Sequence, residues 1–96
     1  MKPSEALELH REAIRRAVNR YGLCNPRVFG SAARGDDAET SDLDLLVDLG
    51  PRTTLFDLGG LSEELNDLLG APVDVAASTG LRRRIGNRVL EEAKPV

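Results

Sequence analysis

Val28-Phe29-Gly30-Ser31-Ala32-Ala33-Arg34-Gly35-Asp36-Asp37-Ala38-Glu39-Thr40-Ser41-Asp42-Leu43-Asp44-Leu45-Leu46-Val47-Asp48 is the stretch that decides how this chain folds. A short apolar strand, Val28-Phe29, stops at Gly30-Ser31; ten residues intervene, and Asp42-Leu43-Asp44 then leads into Leu45-Leu46-Val47. A residue without a Cβ lets the backbone turn closely against a ligand, and the adjacent hydroxyl supplies a donor, so Gly30-Ser31 reads as a phosphate seat. Asp42 to Val47 reads as a second strand, in which alternate residues share a face. The two carboxylates then stand side by side, about 7 Å apart at their Cα atoms, on a wall otherwise made of Leu and Val. No Lys or Arg occurs from Asp36 to Asp48, and two anions held this close repel unless a cation lies between them. Hard carboxylate oxygens select Mg²⁺ or Mn²⁺ over zinc.

The rest of the chain supplies elements to carry this stretch. Ser4 reads as the cap of a helix with Glu5 and Glu8 early in it and Gly22 as its stop; Leu7, Ile14, Ala17, Val18 and Tyr21 form its apolar stripe, with His10 at the boundary. Pro26 ends the connection, and the first strand runs from Arg27 to Phe29. Ala32-Ala33-Arg34 forms a short helical turn whose free N–H groups face the same place as Ser31, an anion-binding corner. Arg34 has two readings, a direct phosphate contact or an ion pair with Asp36, Asp37 or another clustered acid. Gly35 to Ser41 is a polar loop, expected to be mobile, whose length sets the spacing between phosphate seat and metal seat.

A second helix starts at Thr53 or Thr54 and runs to Leu69, with Gly70 as its stop. Leu55, Leu58, Leu61, Leu65, Leu68 and Leu69 are helically spaced and read as core, while Gly59-Gly60 marks a kink or a close approach. Pro72-Val73-Asp74-Val75-Ala76 is the third strand. Asp74 stands among apolar neighbours and is expected to be buried, where it needs a cation, a metal or a hydrogen-bond cluster. The last helix runs from about Leu81 to Ala93, capped by Ser78 or Thr79, with Leu81, Ile85 and Val89 on one stripe and Lys94-Pro95-Val96 as a tail. Arg82, Arg83, Arg84 and Arg88 cluster there, either as a solvated helix side or as a partner-binding face. The expected order is α-β-β-α-β-α: an α/β fold with a small three-stranded, mixed sheet flanked by helices.

Composition bounds the class. The chain has 96 residues, 41% hydrophobic and 30% charged, which suits one domain, residues 1–96, with one modest core. No apolar leader and no run of eighteen apolar residues appears, so a cytoplasmic protein without membrane contact is expected. A net charge of −3 argues against a broad nucleic-acid surface. The single Cys24 has no partner for an internal disulfide and reads as a half-buried small residue.

Gly30-Ser31, ten residues and Asp42-x-Asp44 resembles the nucleotidyltransferase pattern of the polymerase-β superfamily. Gly30-Ser31-Ala32-Ala33-Arg34-Gly35 followed by Ser41-Asp42-Leu43-Asp44-Leu45 is similar to its minimal branch, the MNT-domain proteins found beside HEPN-domain toxins. The resemblance spans nearly the whole chain. It departs at Asp36-Asp37, where a Glu commonly follows Arg-Gly. The resemblance implies a nucleotidyltransferase sheet, ATP as substrate, two Mg²⁺ ions (or Mn²⁺) held by Asp42 and Asp44, and a third catalytic carboxylate on the adjacent strand, a position matched by Asp74. It further implies that Gly30 and Ser31, with Arg34 nearby, bind the nucleotide's phosphates. Its antitoxins transfer AMP to a tyrosine of a HEPN ribonuclease partner and silence it. Two other readings stand beside this one: the same chemistry on a small-molecule acceptor, and an antitoxin that masks its toxin by binding alone.

Overall fold

Leu45, Leu46 and Val47 are consecutive and all fully buried, which a strand achieves only inside a sheet covered on both faces. The computed structural model describes residues 1–78 and 87–96. They form α1 (Pro3–Leu9), α2 (Arg11–Arg20), β1 (Cys24–Phe29), α3 (Gly30–Arg34), β2 (Leu43–Asp48), α4 (Leu55–Leu69), β3 (Val73–Ala77), α5 (Asn87–Glu92) and β4 (Lys94–Pro95). The sheet order is β3-β2-β1-β4. β2 runs parallel to β3 and antiparallel to β1, and β1 is antiparallel to β4, so the sheet is mixed, as the sequence implies. The described part of the expected last helix is α5; Leu81, Arg82, Arg83, Arg84, Ile85 and the side chain of Arg88 lie outside the described residues.

The strand count differs from expectation, four instead of three. Lys94-Pro95-Val96 is not a tail: Lys94 pairs with Val28 and Pro95 with Arg27. Val96 is buried, and its N–H donates to the Pro26 carbonyl at 3.0 Å. Arg11 and Arg15 of α2 donate to the carbonyls of Pro95 (3.3 Å) and Val96 (2.8 Å). A two-residue strand containing proline shows no alternation, which is why periodicity passes over it.

The main core lies on one face of the sheet. Leu7, Ile14, Ala17 and Val18 from the first two helices meet Val28, Leu43, Leu45, Val47 and Val73 from the strands and Leu58, Leu61 and Leu65 from α4. The expected N-terminal stripe is therefore correct, with Tyr21 partly buried at its end and His10 half-buried at the boundary. The single helix of the sequence reading is however interrupted at His10, whose φ of −112° leaves helical geometry. Nor is Ser4 the cap. Lys2 holds that position, and Pro3 opens the helix where a missing N–H costs nothing. A smaller cluster on the opposite face joins Leu46 to Val89, with Phe29 and Ala76 against it.

β1 begins earlier than expected, at Cys24. A bulge between Cys24 and Arg27 accommodates Pro26, with Asn25 at a positive φ of 52°. Cys24 is exposed and not half-buried, because it sits at the strand end outside the core. No described helix is long and apolar enough to cross a membrane.

α4 follows its sequence signals closely. Thr54 caps it, accepting from the Phe56 N–H at 3.2 Å, while the Asp57 carboxylate accepts from the Thr54 N–H at 2.7 Å. Gly70 ends it in the left-handed conformation. Only Leu58, Leu61 and Leu65 of its leucines are buried; Leu55 is 77% exposed and Leu68 38%. A stripe of six leucines is wider than the contact with the sheet, and the first turn is uncovered. Gly60 marks a close approach, since a Cβ there would lie 2.8 Å from the Tyr21 ring, whereas Gly59 faces open space.

Gly59→Ala is therefore expected to stabilise the fold by about 0.5–1 kcal/mol, the helix-propensity difference. Gly60→Ala is expected to forfeit that gain against Tyr21, leaving its urea midpoint at or below the parent's. Equilibrium unfolding of the two variants beside the parent checks both.

Candidate active site

β1 leaves the sheet at Phe29 in extended conformation, and α3 starts at Gly30 with φ of 71°. A side chain is disfavoured there by the backbone and also by its neighbour. A Cβ on Gly30 would lie 2.5 Å from Oδ2 of Asp44, so the turn carrying Ser31 packs directly against this carboxylate. α3 then closes on itself: the carbonyl of half-buried Ser31 accepts from the N–H groups of Gly35 (2.9 Å) and Asp36 (3.1 Å).

The strand register assembles the acids. Asp44 pairs with Phe29 on one side and with Asp74 on the other. Directly paired residues of adjacent strands point to the same face about 5 Å apart, so the Asp44 and Asp74 side chains are neighbours. This face is the one that carries Leu46 and Asp48, opposite the main core. Asp42 lies one residue before β2 and is exposed. Burial pushes the Asp44 carboxyl above its ordinary range; the charges of Asp74 and then Asp42 push it further, and Arg34 partly offsets them. The three sequence-selected aspartates are thus one electrostatic group.

Asp74 is not buried, contrary to the sequence reading; it is exposed on an edge strand. Its apolar sequence neighbours turn the other way: Val73 is buried in the main core and Val75 packs against it. Alternation, not burial, explains an aspartate between two valines.

Both ends of β3 are held by side-chain hydrogen bonds that the sequence reading did not assign. Ser62 and Asn66, one turn apart on α4, clamp Val73: the Ser62 hydroxyl donates to the Val73 carbonyl at 2.6 Å, and the Val73 N–H donates to Asn66 Oδ1 at 2.5 Å. Beyond the strand's other end, the Ser78 hydroxyl donates to Asp48 at 2.7 Å; Asp48 also accepts from Arg27 at 2.5 Å and Asn25 at 3.0 Å. Those bonds, Ser78 first, then Asn25 and Arg27, hold the Asp48 carboxyl below the ordinary range. The signal available in the sequence was the i, i+4 placement of two small polar residues within a leucine helix.

Arg34 ends α3 and pairs with Asp36 at 3.2 Å and Glu92 at 3.3 Å. The Asp36 bond is the main cause raising its already high pKa. The ion pair of its sequence reading is thus present, at a side chain still 47% exposed. The loop after it is anchored rather than loose. Asp37 is 6% exposed, the one charged side chain buried among the described residues. It accepts from the Ser4 N–H at 2.8 Å and from the Ser4 hydroxyl at 3.0 Å. Chiefly the Ser4 N–H holds its carboxyl below the ordinary range. Ala38 and Ser41 bond each other twice, Ala38 N–H to Ser41 Oγ at 2.9 Å and Ser41 N–H to the Ala38 carbonyl at 3.0 Å.

Asp42, Asp44 and Asp74 form an all-oxygen donor set whose charges repel, which is the chemistry a hard divalent cation relieves. As placed, no three carboxylate, imidazole or thiolate side chains among the described residues converge on one point at ligand distance. The acids are neighbours, not a closed cage.

The mixed sheet thus sets a Gly-Ser turn against an acidic strand pair. The Nucleotidyltransferase domain family matches residues 10–96, and the chain belongs to that family; it is a nucleotidyltransferase. It is 39% identical over 77 residues to a Methanocaldococcus jannaschii protein provisionally named protein adenylyltransferase MJ0435, covering 80% of this chain and 83% of that one. To the protein adenylyltransferase MntA of Thermococcus cleftensis it is 37% identical over 86 residues, covering 90% of this chain and 84% of that one. Among solved structures, one provisionally described as a minimal nucleotidyltransferase superposes with TM-score 0.86 at 44% identity, covering 97% of this chain and 95% of that chain. A toxin–antitoxin structure with AMP-PNP shares the fold, with TM-score 0.71 at 22% identity, covering 88% of this chain and 69% of that chain.

Asp44 yields a pH-dependent expectation. Its carboxyl titrates higher in the folded than in the unfolded chain, so the folded state holds the proton more tightly and ionisation subtracts stability. That loss is present above the raised value and is recovered as pH falls through it to below the ordinary carboxylate range. Asp44→Asn is accordingly expected to raise the urea midpoint at pH 7, with the gap to the parent closing in acid. Denaturation at both pH values checks the sign.

Proposed function

We propose that this chain is a Mg²⁺-dependent protein adenylyltransferase and antitoxin, which transfers AMP from ATP to a tyrosine of a cognate HEPN ribonuclease toxin and thereby silences it. The observation that carries the reading is the pairing of Asp44 with Asp74 across a parallel ladder, with Gly30 packed against Asp44 from the opposite side. The relatives, named protein adenylyltransferases, support the activity. The toxin–antitoxin neighbour, solved with an ATP analogue, supports the partner and the nucleotide.

In this reading the tyrosine hydroxyl oxygen attacks the α-phosphorus in line, forming a new O–P bond as the bond to the β-phosphate oxygen breaks and pyrophosphate leaves. Asp42, Asp44 and Asp74 would hold Mg²⁺, or Mn²⁺, as a pair of ions that, when bound, stabilises charge on the attacking and leaving oxygens. Asp74, exposed at the sheet edge, takes the proton of the incoming hydroxyl. Gly30 and Ser31 grip the β- and γ-phosphates through main-chain N–H groups and the serine hydroxyl. Arg34 exchanges its two exposed, solvent-screened ion pairs for phosphate oxygens. With no Trp, two Phe and one Tyr, the chain has few rings to stack on a base, and the partner protein completes the site.

The test is intact mass spectrometry of the toxin encoded beside this chain, after incubation with the chain, ATP and Mg²⁺. Mass gains of whole adenylyl units are expected with the parent and not with Asp42→Asn/Asp44→Asn or in excess chelator. No gain with a stable complex would replace the reading by a masking antitoxin. No gain and no complex would replace it by a small-molecule acceptor.

A further inference from the structure

Asp37 lies midway along the loop joining α3 to β2, seven residues after Gly30 and seven before Asp44 in the sequence. Its partner is far away in the chain. α1 opens with Lys2 at the cap position and Pro3 in the first turn. A lysine side chain cannot accept a hydrogen bond and proline has no N–H, so the N–H of Ser4 is the first donor the helix leaves unsatisfied. Asp37 accepts that N–H and the Ser4 hydroxyl together, one on each carboxylate oxygen, at 2.8 and 3.0 Å. The helix's own Glu5 accepts the Lys2 N–H at 2.9 Å, and the Ser4 N–H is capped from a loop thirty-three residues away, by a buried carboxylate.

The consequence for the site is geometric. At one end the loop is closed by the Asp36 N–H on the Ser31 carbonyl, and near the other by the Ala38–Ser41 pair, just before Asp42. Between these closures the Asp37–Ser4 bonds are the buried side-chain tie from the loop to the body of the fold, beside an exposed pair between the Glu39 carboxylate and the Met1 amino group at 3.5 Å. Without the buried tie, the segment from Asp36 to Ser41 keeps only its end closures and the solvent-exposed pairs of Asp36 with Arg34 and Glu39 with Met1. Asp42 lies one residue outside β2, between Leu43, which the ladder fixes against Val73, and Ser41, which belongs to the loop, so the loop sets its position from one side.

We infer that Asp37 is a positioning residue for nucleotidyl transfer, holding Ser41-Asp42 in register with the Gly30-Ser31 turn by capping α1 from the loop. The inference rests on the adenylyl-transfer reading above and adds to it a residue that touches neither nucleotide nor acceptor. Placement errors of this kind act on turnover more than on ground-state binding.

Steady-state AMP transfer from MgATP to the cognate toxin, at 20 °C with folding monitored by circular dichroism, tests it. Asp37→Ala is expected to lower kcat about ten-fold while KM for ATP stays within about two-fold of the parent. Asp37→Asn is expected to recover most of the rate, because its amide oxygen accepts the Ser4 N–H and its amide nitrogen donates to the Ser4 hydroxyl. Ser4→Ala removes one of the two bonds without disturbing the loop, so it keeps the test open if Asp37→Ala does not fold. It is expected to give a partial loss, with no further loss when added to Asp37→Ala. A folded Asp37→Ala, or Ser4→Ala, that turns over at the parent rate would overturn the positioning role and leave Asp37 as a helix cap. A parent that transfers no AMP would instead refute the adenylyl-transfer reading, and the positioning role with it.

Discussion

Asp44 and Asp74 are paired residues of adjacent strands, like charges on the same face, and much of the surrounding structure holds them there against their repulsion. The opposite face of β2 supplies the cohesion, since Leu43, Leu45 and Val47 are almost wholly removed from water and each contributes about 1.5–3 kcal/mol by burial. Ser62 and Asn66 hold the start of β3, and Asp48 holds Ser78 beyond its end. Local repulsion is sustained because the register is over-determined elsewhere. Such placement of unfavourable charge on a well-anchored scaffold is how a fold keeps like charges side by side without letting the strands slide apart.

The acidic row was legible because strand alternation is a short-range rule. Asp42-Leu43-Asp44 announces its own geometry, and Gly30-Ser31 announces a turn. The helix α4 was equally readable, from the Thr54 cap to Gly70, as both signals are local. Asp74 was chosen correctly as a candidate for the acidic group but with the wrong environment. Two valines beside it suggested burial, whereas a strand at the sheet edge sends successive side chains to opposite faces, one apolar and one open.

What escaped the sequence depends on residues far apart in the chain. Asp37 looked like one acid among many in a polar loop, and only the arrival of Ser4 from the N-terminal helix gives it a burial and a task. β4 consists of two residues, too short to show any period, and exists because Val96 finds a buried place beside β1. Gly60 likewise takes its meaning from Tyr21 on another helix. Local rules recover the elements and the acidic row; contacts between distant segments supply the fastening.

The β4 margin of the sheet has a colloidal consequence. An unprotected edge strand offers main-chain donors and acceptors to any other chain and is the usual starting point of edge-to-edge aggregation. Here proline withholds one donor, and the guanidinium groups of Arg11 and Arg15 occupy the carbonyls of Pro95 and Val96. That border has little left with which to template another strand. A two-residue strand thus completes the sheet and at the same time keeps it from growing.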